Sequence, residues 1–231
     1  MATANGYHAN GSVSGPVVEP VATAEMCMYC FDALATQFSG KPMPSPAFPQ
    51  ANCPLFVTWM KKSSSGDLRL RGCIGTLEPR TIHKGIKDYA LTSALHDRRF
   101  NPVTANEISC LQCTVSLLTN YEDAQNYLDW EVGKHGLLIE FSDKQAGCTR
   151  SATYLPEIAE NEGWNHEEAI ESLMRKSGYG GPSTEALKLS IKLVRYQSTT
   201  FSLSYHDYLM KAAQRDSSEG QQQNGYTNGY H

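Results

Sequence analysis

The sequence contains no long apolar run and no excess of positive charge. None of its apolar stretches approaches the roughly 18 residues that a membrane helix requires, so we expect no membrane-spanning segment. Its 20 basic and 24 acidic residues give a net charge of −4, whereas general nucleic-acid binding depends on a basic excess that displaces counterions. Membranes and nucleic acids are therefore not the expected partners of this chain.

The N-terminus also lacks the charged segment followed by an apolar segment that is typical of a secretory signal, so we expect a cytoplasmic or nuclear protein. Seven cysteines, without the spacing of a small disulfide scaffold, indicate reduced thiols. Two Cys-x-x-Cys pairs suggest zinc, but Cys27 lies on the apolar stripe of a helix with Cys30 nearby. Cys110 and Cys113 point to opposite faces of a strand. We therefore predict no metal and no other cofactor.

The composition divides the chain into one domain and two tails. With 40% hydrophobic residues, the chain can form a substantial core. Residues 1–20 cannot bury enough apolar surface to offset their ordering entropy, so we predict a disordered tail there. We assign residues 21–210 to the domain and residues 211–231 to a low-complexity tail that is unstructured from about Arg215.

The periodicity of the domain is typical of an α+β fold with mostly antiparallel sheets and packed helices. Apolar residues at helical spacing predict helices within 24–38, 82–94, 165–178 and 206–213. Alternating residues predict strands over 55–60, 68–77, 111–117, 137–141 and 148–154. Near the end of the domain, 187–193 and 200–205 are predicted to form two antiparallel strands. Turns at 61–66 and 142–147 predict two hairpins, one from the first two and one from the last two of the five strands above. Thr104 with Glu107, and Asn165 with Glu168, predict capping boxes at helix starts.

The stretch that most suggests function runs from Leu70 to Leu77 and contains Cys73. If the alternation of the preceding residues continues, Cys73 shares a face with Arg69 and Arg71. Such a thiol is a candidate nucleophile because neighbouring cations favour the thiolate. The alternative is a buried core cysteine, since free cysteine is among the most buried residue types.

Glycines on both sides of the cysteine suggest access to the backbone. Gly72 and Gly75 indicate a bulge or a place where a ligand approaches the main chain closely, because glycine in a strand gives up packing. Both are therefore candidate ligand-binding positions.

Two further positions are candidate site residues. Arg99 lies in a charged corner, residues 96–102, which either binds an anion or forms a solvated helix C-terminus. His135 lies between Gly133 and Gly136 and is a candidate base or ligand, with an unpaired surface histidine as the alternative.

Four motifs occur together in this chain: Leu70 to Leu77, Ala94 to Phe100, Glu131 to Gly136 and Tyr154 to Glu157. In this order and spacing they closely resemble the AMMECR domain family, named for a human chromosomal region linked to Alport syndrome, midface hypoplasia and elliptocytosis. The resemblance covers about residues 21–210.

The resemblance implies an α+β fold of two subdomains, the larger assembled from both ends of the domain and the smaller from its middle. The family has no established reaction, although some prokaryotic members look associated with Memo-like dioxygenase homologues and radical SAM proteins. Its signature, Arg71-Gly72-Cys73-Ile74-Gly75, is complete here.

Two functions remain open. The first is a binding or regulatory module whose cleft between subdomains holds a small anion or a partner segment, with Arg71, Arg99 and the backbone at Gly72 and Gly75 as donors. The second is a thiol enzyme with Cys73 as nucleophile and His135 or His96 as base. We favour the binding module because no second catalytic motif accompanies the thiol. In both cases we expect Cys73, Arg71, Arg99 and His135 to meet at one cleft.

Overall fold

The structure is a computed structural model that describes residues 19–224, with side chains described for 19–217. The predicted N-terminal tail lies almost wholly outside the described residues. The elements in chain order are α1 (Ala24–Ser39), β1 (Asn52–Lys62), β2 (Leu68–Thr81), α2 (Ile82–Leu95), a 3-10 helix (Ala105–Cys110), β3 (Leu111–Asp123), β4 (Gly136–Asp143), β5 (Cys148–Tyr154), α3 (Pro156–Asn161), α4 (His166–Lys176), α5 (Glu185–Lys188), β6 (Lys192–Ser204) and α6 (Tyr205–Asn224).

The strands form one six-stranded sheet in the order β2–β1–β3–β6–β4–β5, and every pair with a described register is antiparallel. The chain divides into two compact units. Pro20–Leu117 and the chain from Thr199 onward form the larger unit, and Leu118–Ser198 form the smaller one. The predicted α+β class is confirmed, with a larger unit assembled from both ends of the domain.

The core of the larger unit lies between helices α1 and α2 and one face of β1 and β3. Trp59 is fully buried there, and its indole N–H donates to the Ala90 carbonyl at 2.9 Å. Cys27, Cys30 and Cys113 are also fully buried, and burial raises the pKa of the Cys30 and Cys113 thiols. These cysteines therefore pack as core residues, which the apolar stripe of the first helix predicts for Cys27.

The core of the smaller unit lies between α4 and strands β4 and β6. Helix α4 begins with the predicted capping box, in which Asn165 accepts from the Glu168 N–H and the Glu168 side chain accepts from the Asn165 N–H. Gly178 follows the helix with φ of +83°, a conformation that favours glycine at a helix end. The predicted hairpin of β4 and β5 is also present.

One predicted strand is wrong. Residues 187–193 alternate between apolar and polar residues, but Glu185–Lys188 form the short helix α5. Thr184 begins this helix, and its side chain accepts from the Leu187 N–H. One of the alternating charged residues, Lys188, is buried. Its charge is compensated there by ion pairs with Glu167 and two other glutamates. The strand begins at Lys192 and continues without a turn to Ser204, so the two predicted strands are one.

Helix α6 continues beyond residue 213, where the sequence predicts its end. Arg215, the expected start of the unstructured tail, forms a salt bridge with the buried carboxylate of Asp32 at 2.7 Å. Asp32 also accepts from the Tyr208 hydroxyl at 2.8 Å. The salt bridge joins Arg215 and Asp32 across 183 positions of the chain, so local composition could not predict it. Within residues 19–224, no helix combines the length and apolar composition needed to cross a membrane.

Candidate functional site

The predicted signature lies on strand β2, which is at the edge of the sheet and pairs with β1. Gly72 lies opposite Trp59 while Leu70 lies opposite Met60, so Arg71 is the extra residue of a β-bulge. The bulge changes the phase of the alternation. The prediction that Cys73 shares a face with Arg69 is therefore wrong.

Cys73 lies opposite Thr58, on the sheet face that carries Leu70 and Met60. The other face of β1, which includes Trp59, packs against the helices. Cys73 is half-buried, whereas the core cysteines are fully buried. The alternative of a core cysteine at this position is therefore wrong as well.

The side chains of Asp97 and Arg99 cover the outer edge of β2 at Cys73. Asp97 Oδ2 accepts from the Cys73 N–H at 2.9 Å, and Arg99 Nη2 donates to the Cys73 carbonyl at 3.1 Å. The two side chains thereby occupy the place of the N–H and C=O of a neighbouring strand. On the sheet face, the Thr58 hydroxyl donates to Cys73 Sγ at 3.1 Å. The structure thus brings together Cys73 and Arg99, as predicted.

Asp97 and Arg99 form a close ion pair with Nη2 and Oδ2 2.7 Å apart. Hydrogen bonds from Arg99 are the largest influence on Asp97 and hold the pKa of its carboxyl far below the usual range, although burial opposes them. The same pairing raises the pKa of Arg99. Because the pair has little net charge, it should activate a neighbouring thiol less than an unpaired cation would.

The guanidinium of Arg71 is held in a second ion-pair cluster. Its Nε and Nη2 donate to the two carboxylate oxygens of Glu107, both at 3.1 Å, and its Nη1 donates to the Asn101 carbonyl at 2.7 Å. Lys61 also binds Glu107, at 2.8 Å. Glu107 in turn accepts from the Thr104 N–H, as the predicted capping box requires. Arg71 therefore connects β2 to the segment before β3, and its direct role toward a ligand stays a prediction.

The pairing of Glu107 predicts a pH-dependent contribution to stability. Hydrogen bonds from Arg71, followed by Lys61, lower the pKa of Glu107 to about 2 against the opposing effect of burial. A carboxyl whose pKa is lower in the folded state stabilises fully above its unfolded pKa of about 4.3, and loses this effect as pH falls through the folded pKa. We expect Glu107→Gln to lower the free energy of unfolding by about 2 kcal/mol at pH 7 and by much less near pH 2 to 3.

Urea denaturation at both pH values measures the difference. Glu78→Gln is the matched control, because Glu78 pairs with Arg80 while its side chain is 63% exposed, and its loss should be small. An equal loss for Glu107→Gln at both pH values would contradict the role of the ion pair.

The two glycines of the signature are required by the protein's own packing. A Cβ on Gly72 would overlap the Ser93 carbonyl oxygen of α2, and one on Gly75 would overlap the Leu55 carbonyl and the Phe56 ring. The predicted close approach to the backbone is thus made by protein atoms at both positions. Contacts of Gly72 and Gly75 with a ligand stay a prediction.

His135 belongs to the smaller unit, whereas Cys73, Arg71 and Arg99 belong to the larger one. The ring is buried, and its Nδ1 accepts from the Glu131 N–H at 2.9 Å, which assigns the proton of the neutral ring to Nε2. Burial, followed by the charge of Lys134, lowers the pKa of His135. The ring is therefore neutral near pH 7 and serves as an acceptor within its own loop. Its role as a base for Cys73 stays a prediction.

The smaller unit also contains an acidic recess of about 520 Å³. The predicted site residues do not line it. Six residues line the recess: Leu128, Asn165, His166, Glu167, Glu168 and Glu171. Because three of them are glutamates, the recess would repel the anion expected from the sequence. Within the described residues, no group of three or more His, Cys, Asp or Glu side chains could hold a metal ion.

Sequence reasoning missed the roles of Thr58, Asp97 and Glu107. Asp97 follows helix α2, and Glu107 carries a capping signal, but neither feature indicates a partner on β2. The sequence separations from Asp97 to Cys73 and from Glu107 to Arg71 are 24 and 36 residues. The predicted hairpin of the strands that carry Thr58 and Cys73 offered a signal for Thr58, since it pairs these two strands, although only the structure sets the register.

Fold and site define a class of protein: an α+β domain of two units with a glycine-flanked cysteine on a bulged edge strand. The family model described as AMMECR1 matches residues 27–201 of this chain. An uncharacterised protein of Arabidopsis thaliana is 59% identical over 188 residues, which cover 81% of this chain and 88% of that protein. An uncharacterised protein of Schizosaccharomyces pombe is 36% identical over 191 residues, covering 80% and 94% of the two chains.

The crystal structure of an uncharacterised protein from Pyrococcus horikoshii is similar in fold, with a TM-score of 0.63 and 25% sequence identity. The similarity covers 77% of this chain and 89% of that chain. The chain therefore belongs to the AMMECR1 family, and the family predicted from its four motifs is confirmed. The names of these relatives state no activity.

Proposed function

We propose that this protein is a binding or regulatory module that recognises a small anion beside Cys73, with Arg99 as the main donor. The observation that carries the proposal is an excess of positive charge in the two clusters next to this part of β2. They contain three basic and two acidic side chains: Lys61, Arg71, Arg99, Asp97 and Glu107. A carboxylate or phosphate group is the complementary ligand.

The geometry of Arg99 is suited to this role. Asp97 and the Cys73 carbonyl hold its Nε and Nη2, while its side chain remains 56% exposed. Its Nη1 makes no hydrogen bond with the residues that the structure describes, and the guanidinium lies 5.5 Å from the centre of the Phe100 ring. A guanidinium held in this way loses little side-chain entropy when it binds an anion.

A thiol enzyme is the second candidate, because Cys73 is half-buried and its sulfur accepts a hydrogen bond from Thr58. A donor to sulfur favours the thiolate. The ion pair with Asp97 argues against strong activation, since it offsets the charge of Arg99. We therefore place the thiol second.

The exposed cysteines support a proposal for the location of the protein. Cys110 and Cys148 are free and exposed. Exposed free thiols support a reducing compartment, which we propose is the cytoplasm or the nucleus.

Anion binding can be tested by thermal unfolding in inorganic phosphate, with chloride at equal ionic strength as reference. We expect phosphate to raise the Tm of the natural protein and of Cys73→Ser, because serine leaves every cation in place. Arg99→Gln should abolish the increase. Arg98→Gln is the matched control, since it removes the neighbouring exposed charge and should keep most of the increase. The absence of phosphate stabilisation in the natural protein, or its persistence in Arg99→Gln, would contradict the proposal.

The thiol alternative is tested separately by the rate of alkylation between about pH 6 and pH 9. Cys110 serves as an internal reference because it is exposed in the same protein. We expect Cys73 to react no faster than Cys110 at pH 7. A rate at least about tenfold higher for Cys73 would support the enzyme instead.

A further inference from the structure

The outer edge of β2 is covered at Cys73 but open nearer the hairpin turn. The Ser63 N–H donates to the Asp67 carbonyl at 2.8 Å, which makes these two opposed residues a hydrogen-bonded pair. Bonded and non-bonded pairs alternate along an antiparallel ladder. Leu68 and Leu70 therefore belong to non-bonded pairs and turn their N–H and C=O groups away from β1. We call residues 68–70 the open edge.

The side chains of the open edge are exposed and alternate in character. Leu68 is 43% exposed and Leu70 is 39% exposed, both on the face that carries Met60. Between them, Arg69 points to the opposite face and is exposed. It makes no ion pair within the described range, and the residue opposite it is another cation, Lys61. The open edge thus presents an apolar, a basic and a second apolar side chain.

We infer that the open edge binds an extended segment of another protein with two apolar residues separated by one acidic residue. Such a segment would add a strand next to β2, because its backbone can pair with the outward N–H and C=O groups of Leu68 and Leu70. Its apolar side chains would cover the two leucines, and its carboxylate would lie beside Arg69. Cross-strand pairs of these kinds are favourable.

Charge selects another protein over a second copy of this chain. Antiparallel pairing of two open edges, centred on Arg69, would place this arginine directly beside its own copy. Like charges opposed across a strand pair are destabilising, whereas the acidic residue of the proposed segment would lie opposite Arg69.

This inference goes beyond the proposed anion site and does not depend on it. Asp97 and Arg99 cover the edge at Cys73 and are not needed for pairing at Leu68 to Leu70. An anion site that fails its test leaves the open edge unaffected, and the reverse also holds.

The test uses the full chain and a capped peptide that contains the sequence valine-glutamate-valine. We expect saturable binding with a Kd below about 1 mM, NMR shifts centred on the amides of Leu68 and Leu70, and slower hydrogen exchange of both. A peptide with lysine in place of glutamate should bind more weakly. Arg69→Glu should reverse this preference between the two peptides.

Replacement of both leucines, Leu68→Lys with Leu70→Lys, should weaken binding about tenfold, and both sites are exposed enough to tolerate lysine. The matched control is Leu209→Lys, at a leucine of α6 that is 48% exposed. No saturable binding, or binding that the double substitution leaves unchanged, would overturn the inference. Self-association of the free protein that the double substitution abolishes would overturn it too, by identifying a second copy as the occupant.

Discussion

Gly72→Ala should lower the free energy of unfolding by more than about 3 kcal/mol, because its new methyl group has no space. The added Cβ would overlap the Ser93 carbonyl oxygen, which is a backbone atom of α2. A flexible side chain could rotate away, but this carbonyl can move only with its helix. Helix α2 packs into the core through Ile86 and Ala90, so its displacement would disrupt close-packed contacts.

Urea denaturation measures this loss, and Gly180→Ala is the control. A Cβ on Gly180 would meet no atom within 4 Å, and its φ is not in the left-handed region, so we expect a change within about 0.5 kcal/mol. If Gly72→Ala were as stable as this control, the packing of α2 against β2 described above would be wrong. Failure to obtain soluble Gly72→Ala, with Gly180→Ala normal, would agree with the expected loss.

The second large effect is expected for Asp97→Ala, which removes the acceptor that joins Cys73 to Arg99. The substitution leaves the Cys73 N–H without this partner and separates Arg99 from its carboxylate. Removal of this buried carboxylate leaves the Cys73 N–H without its acceptor and Arg99 without its counterion, and we expect a loss of about 3 kcal/mol. Because the pKa of Asp97 is lowered, this stabilisation should be complete at neutral pH and persist well into the acid range.

Two measurements separate the specific role of Asp97 from general destabilisation. In Asp97→Ala, hydrogen exchange should accelerate more at the Cys73 amide than at the neighbouring Ile74 amide. Alkylation of Cys73 should also become faster, because Arg99 would then carry an uncompensated charge beside the thiol. Asp88→Ala, which removes an exposed carboxylate of α2, should change neither. Unchanged exchange and alkylation in Asp97→Ala would show that this carboxylate does not control the environment of Cys73.

Local signals predicted much of the fold. The capping box at Asn165 and the glycine after α4 are interactions within a few residues, so the sequence pattern contains both partners. The same holds for the hairpin that ends at β2, where the turn at Ser63 to Asp67 closes on itself through hydrogen bonds. The prediction of a strand over 187–193 was wrong because Thr184 begins a helix there and alternation alone cannot exclude one.

The sequence by itself determined the family, the α+β class and the order of most elements, and it predicted that the segment around Cys73 lies on a strand. Only the tertiary structure decided which atoms the residues of this segment contact. The bulge at Arg71 changes which face the thiol occupies, and a strand pattern cannot reveal the extra residue until the strand has a partner. Asp97 reaches Cys73 across 24 residues, because the fold returns the chain to the sheet edge after α2. Contacts of this kind depend on distances in the folded protein, and the spacing of residues along the sequence does not give these distances.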